Sequence, residues 1–154
     1  MKEIKGSYQG KGKKIGLVVS SFNETISGDL VRGCAETLKK CGAEDKDIAA
    51  FWIPGAYEMP LIAAKLARSK KYDAVICLGA VIRGDTPHSD YIASSVSRGL
   101  SQVGLDSGIP VIFGVITADT QEQAMERAGL KQGNKGETAA LAALEMIDIL
   151  SKAK

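Results

Sequence analysis

A single histidine and three cysteines are all that 154 residues offer of the commonest soft metal ligands. No metal site is expected from so sparse a set, because structural and catalytic metal centres need clustered donors. Cys34, Cys41 and Cys77 form no C-x-x-C pair. They fall in the interiors of expected helices and a strand, and read as buried thiols kept reduced in a cytoplasm. Charge of one sign is also missing. Twenty basic residues face eighteen acidic ones, a formal net charge of +2, and no aromatic-studded basic stripe points to nucleic acid. The small cluster Lys11 to Lys14 reads as a solvated approach to the first strand. No apolar run is long enough for a membrane span, and no signal-peptide core is evident, so a cytoplasmic location is expected. There is no G-x-G-x-x-G fingerprint and no phosphate-loop lysine, which removes the commonest nucleotide-binding readings.

What is present is ordinary globular composition, 45% hydrophobic and 25% charged, in a length that suits one domain. Strands and helices alternate along it. Residues 1–12 are polar and glycine-rich and read as an extended arm. Lys14 to Ser20 reads as a strand. From Glu24 to about Cys41, the apolar residues Ile26, Leu30, Cys34, Leu38 and Cys41 recur at spacings of three or four, which predicts a helix stopped by Gly42. A second strand is expected over Ile48 to Ile53 and a second helix over Ala56 to Ser69. The unbroken apolar run Ala74 to Ile82 predicts a strand covered on both faces. A helix follows from about Ser89, with Ile92, Val96 and Val103 inward. Pro110 to Thr117 is the fourth strand. Thr120 caps a short helix to Ala128, Gly129 to Gly133 makes a tight link, and the last helix runs from Glu137 to Lys152. Such alternation implies parallel strands joined by helical crossovers. The expected fold is a three-layer α/β/α sandwich around a mainly parallel four-stranded sheet, with residues 13–154 forming one domain.

Ligands in open α/β sheets bind at the carboxyl ends of the strands, and here those ends carry chemistry. After the first come Phe22 and Asn23, after the second Ala56, Tyr57 and Glu58, after the third Arg83 to His88, and near the fourth Phe113. Phe22 and Phe113 are flat surfaces on which a heterocycle could stack, though an aromatic at a strand end is as often core. Asn23 offers hydrogen bonds, but capping the following helix suits it equally. Glu58 complements a helix dipole whatever else it does. Gly84, Asp85 and Thr86 precede a helix, where backbone N–H groups make a seat for phosphate. His88 is the one side chain of a type that ordinarily titrates near neutrality. Its place beside the expected crevice makes it the candidate acid and base.

Several separated motifs in order, Phe22-Asn23-Glu24, Trp52 to Pro60, Gly79 to His88, Phe113 to Thr117, Glu126 to Gly129 and Gly133 to Gly136, resemble the 6,7-dimethyl-8-ribityllumazine synthase family over essentially the full length. The resemblance implies a flavodoxin-like fold and a transferase of riboflavin biosynthesis. Such enzymes condense 5-amino-6-(D-ribitylamino)uracil with 3,4-dihydroxy-2-butanone 4-phosphate, releasing phosphate and water, without cofactor or metal. It assigns His88 to general acid–base work and Phe22 to stacking on the pyrimidine. Asn23, Ala56, Tyr57 and Glu58 line the substrate pocket, and Ala80, Val81, Ile82 and Phe113 border the heterocycle. Gly84, Asp85 and Thr86 form the phosphate loop. Arg127 would hold the phosphate and Lys135 the uracil, both reaching the site from a neighbouring subunit. Asp85 is expected to offer only its backbone N–H, since its carboxylate would repel phosphate.

The same resemblance implies a pentamer, whose N-terminal arm pairs with the neighbouring subunit's sheet edge. The short link Gly129 to Asn134 further implies an icosahedral shell of pentamers. Thr138 stands where many members of the family carry an acid, with Glu137 beside it. An archaeal-type riboflavin synthase and a non-catalytic flavin-binding or shell-forming homologue share the architecture and are the alternatives. The Arg83-Gly84…Thr86…His88 loop argues against the first.

Overall fold

The computed structural model describes all 154 residues. Its sheet has four strands, β1 (Ile15–Ser20), β2 (Ile48–Ile53), β3 (Ala74–Ile82) and β4 (Val111–Ala118), in the order β2-β1-β3-β4 and all parallel. Between and after them run α1 (Glu24–Lys40), α2 (Met59–Arg68), α3 (His88–Ser107), α4 (Gln121–Glu126) and α5 (Lys135–Lys152). The expected three-layer α/β/α architecture is present.

Alternation along the central strand builds the two cores. Ala74, Ile76, Leu78 and Ala80 of β3 face the layer of α1 and α5, packing with Leu30, Cys34, Ala140 and Leu144. Val75, Cys77 and Val81 face the layer of α2 and α3, with Met59, Ala63, Val96 and Leu100. Every β3 residue up to Val81 is buried, because a central parallel strand has helices on both faces. At Gly79 any side chain would collide, since a Cβ there would lie 2.9 Å from the Cβ of Ser20 and 3.2 Å from the Cε of Met59. Burial in these cores pushes the Cys34 thiol up to about 12 and the Cys77 thiol further still, by desolvation of the thiolate.

Several element ends differ from expectation. The second helix opens with a 3₁₀ turn, Ala56–Glu58, and becomes α-helical at Met59, where Pro60 occupies the first turn at no cost in hydrogen bonds. Cys41 is the C-cap of α1 and half-buried, not interior, while Gly42 follows at φ 107° as the stop requires. The expected link after α4 is a small antiparallel hairpin, β5 (Ala128–Leu130) with β6 (Gly133–Asn134). Helix α5 begins two residues before the expected Glu137 because the Asn134 side chain accepts a hydrogen bond from the Gly136 N–H at 2.8 Å and caps it. Thr120 caps α4 as expected, its hydroxyl accepting from the Gln123 N–H at 3.1 Å.

Residues 1–10 carry no regular secondary structure; Lys5 to Ser7 lie against α5 of their own chain, and the Gly10 N–H donates to the Cys41 carbonyl at 2.8 Å. The Ser7 N–H donates to the Asp148 carboxylate at 2.7 Å, and the Lys152 ammonium donates to the Lys5 carbonyl at 3.1 Å. The Lys152 ammonium and then the Ser7 N–H hold the Asp148 carboxyl below its ordinary range. No helix is long and apolar enough to cross a membrane.

Candidate active site

The order in which strands are added reverses about β1: β2 lies to one side of it and β3 to the other. Loops leaving the carboxyl ends of neighbouring strands therefore part there and leave a crevice. In this chain the crevice is a cleft of about 470 Å³, within the range of small-molecule sites. It lies towards the α2 and α3 side of the sheet.

Each wall is held by backbone bonds that cross between loops. After β1, the Ser21 N–H donates to the Ile53 carbonyl at 2.7 Å and the Phe22 N–H to the Pro54 carbonyl at 3.2 Å. That pairing sets the Phe22 ring, 68% exposed, at the rim. Asn23 then turns the chain through a left-handed conformation, φ 61° and ψ 52°. Its side chain makes no cap bond, so the expected capping role is not the one it plays. Its amide nitrogen is buried without a partner. After β2 come Pro54, Gly55, Ala56, Tyr57 and Glu58, all lining the cleft. After β3, the Arg83 N–H donates to the Ala118 carbonyl at 2.8 Å, tying that loop to the end of β4. Ala80, Val81, Ile82, Gly84, Thr86 and His88 complete this wall. His88 is the first residue of α3, and its N–H lies 3.4 Å from the Thr86 hydroxyl.

Of the sequence-derived candidates, Phe22, Ala56, Tyr57, Glu58, Ala80, Val81, Ile82, Gly84, Thr86 and His88 thus surround one cleft. Asn23 and Asp85 sit beside it without lining it; Asp85 is exposed. Pro54, Gly55, Ser89 and Ile92 were not among the expected ligand-binding residues and also line it. Helical spacing from His88 is the signal that would have found Ile92, four residues on and on the same face.

Phe113 does not line the cleft of its own chain. It is the third residue of β4, paired with Cys77, well short of the carboxyl end. The strand runs to Ala118, just past the expected Thr117, paired with β3 up to Ile82. Arg127 lies on the far side of Val81 and Ser89, in a second recess of about 290 Å³ that also holds Arg83, Asp90 and Gln123. Its guanidinium donates to the Thr117 carbonyl at 2.9 Å. Lys135, at the start of α5, lines neither cavity.

A cleft with one imidazole, one carboxylate, two exposed aromatic rings and a helix start suits a flat, polar, anionic set of reactants. The family model for 6,7-dimethyl-8-ribityllumazine synthase matches residues 12–151, nearly the whole chain and every wall of the cleft. The chain belongs to that family, the transferases that form 6,7-dimethyl-8-ribityllumazine from a ribitylaminouracil and a butanone phosphate in riboflavin biosynthesis.

Proposed function

We propose that this cleft is where 5-amino-6-(D-ribitylamino)uracil meets 3,4-dihydroxy-2-butanone 4-phosphate, and that an adjacent copy of the chain completes it. The observation that carries the proposal is a division. The stacking, hydrogen-bonding and imidazole groups share one cleft, whereas Arg127 lies behind its wall and Phe113 and Lys135 lie outside it. A closed head-to-tail ring brings such separated halves together, since each copy then offers its cleft to one neighbour and its cations to the other.

In this reading Phe22 stacks on the pyrimidine and Val81 and Ile82 present backbone groups to its edge. Asn23, Ala56, Tyr57 and Glu58 hold the ribityl chain. Gly84, the Asp85 N–H and Thr86 seat the phosphate at the start of α3, where the helix dipole favours an anion. The partner's arginine grips the same phosphate with two parallel N–H groups, and the partner's lysine meets the uracil. The amine of the uracil adds to the ketone and water leaves, giving an imine. Loss of phosphate, ring closure and a second loss of water follow. His88 moves protons in these steps, and no metal or cofactor is needed for any of them.

The ring we propose is a pentamer, in which residues 1–12 leave their own helix to add a strand to the next subunit's sheet. The small hairpin β5–β6 keeps the connection to α5 short, which supports assembly of pentamers into an icosahedral shell. Balanced charge and thiols held as buried, protonated groups suit a cytoplasmic enzyme.

Turnover of the two substrates, followed by lumazine absorbance, tests the assignment. Wild type should form product. His88→Ala should lose about tenfold to 10²-fold in kcat, at or below the low end for a positioned acid–base group, with assembly intact. An assembled wild type that makes no lumazine would leave a container or flavin-binding protein in the enzyme's place.

A further inference from the structure

Ser89 is 8% exposed, and its hydroxyl is one of three buried side-chain polar groups without a hydrogen-bond partner in the chain. It lies in the first turn of α3, a helix of 20 residues. With Val81 it is one of the two residues that line both the 470 Å³ cleft and the 290 Å³ recess holding Arg127. An unpaired buried hydroxyl is unfavourable, and alanine would remove it with almost no change of volume. A partner supplied by bound substrate offsets that cost at the position where a helix start already favours an anion.

Resting on the reading of the α3 start as the phosphate seat, we infer that Ser89 is a further ligand of the substrate phosphate, donating its hydroxyl to a phosphate oxygen. Serine has one side-chain torsion with three staggered positions. Because the residue belongs to both walls, a turn about that torsion directs the hydroxyl toward the cleft, where Gly84, Thr86 and His88 lie. The hydroxyl distinguishes a phosphorylated butanone from an unphosphorylated one, so Ser89 contributes specificity and not proton transfer.

The test is calorimetric titration of the assembled protein with inorganic phosphate, beside steady-state kinetics, for wild type, Ser89→Ala and Arg127→Ala. Ser89→Ala is expected to weaken phosphate binding about tenfold and to raise KM for the butanone phosphate in parallel. KM for the uracil should hold, and Tm should stay level or rise, because an unpaired buried hydroxyl has been removed. Unchanged phosphate affinity in Ser89→Ala, with weakened affinity in Arg127→Ala, overturns the role of Ser89 and leaves the phosphate seat standing. Unchanged affinity in both variants overturns both. A fall in Tm with phosphate affinity intact makes Ser89 a structural residue and also overturns the inference.

Discussion

The three thiols divide by environment. Cys34 and Cys77 are wholly enclosed between sheet and helices, while Cys41 caps α1 at the half-exposed end. Nucleophilic attack needs an accessible thiolate, so a disulfide reagent should label Cys41 quickly and the other two only on unfolding. Enclosure also sets an alkaline limit. The Cys34 thiol is raised to about 12 in the folded chain, whereas an unfolded cysteine ionises near pH 8.5. A raised folded value means that the full contribution is present below the unfolded pKa and is lost as pH climbs towards the folded one. Urea unfolding of the wild type should lose up to about 1.4 kcal/mol per pH unit per buried thiol above about pH 9. Cys34→Ala should start less stable because of its cavity, yet fall less steeply over the same pH range. Equal slopes would mean that the buried thiol is not what the alkaline limit reports.

Among the elements, the junction of α1, β5 and α5 turns on one side chain. The Asn134 amide donates to the carbonyls of Asp29 at 3.1 Å and Ala128 at 3.3 Å, while its oxygen caps α5. Loss of a cap and of two part-buried hydrogen bonds should make Asn134→Ala about 2 kcal/mol less stable, read as a lower denaturation midpoint at unchanged m-value. This junction was the least legible part of the sequence. Its strands are three and two residues long and carry no alternating pattern, so Gly129 to Gly133 read only as a link. The main strands and helices were legible because their periodicity is long and β3 is apolar without a break. Phe113 is a different case: the extent of its strand to Thr117 was legible, and its place at the third position of β4, well short of the carboxyl end, follows from that same pattern. At the site, the residues following β1, β2 and β3 could be read off because strand ends and ligand sites coincide in this class of sheet. Asn23 could not, since its left-handed turn competes with a capping preference that local composition favours.

On the scale of the whole molecule, the separation of His88 from Arg127 is the central feature. The wall of Val81 and Ser89 stands between the cleft and the recess that holds the guanidinium. Within one chain the two groups line different cavities; in the closed ring proposed above, the imidazole of one copy and the guanidinium of the next would serve one substrate. The decisive measurement is the activity of mixed oligomers assembled from equal amounts of His88→Ala and Arg127→Ala chains. Each variant alone has every site damaged. In a random mixture about a quarter of the sites join an intact cleft to an intact neighbouring arginine. The account predicts turnover of the mixed assemblies well above that of either parent, approaching a quarter of wild type. Mixed assemblies no more active than the average of the two parents would contradict the shared site and place both groups within a single chain's chemistry.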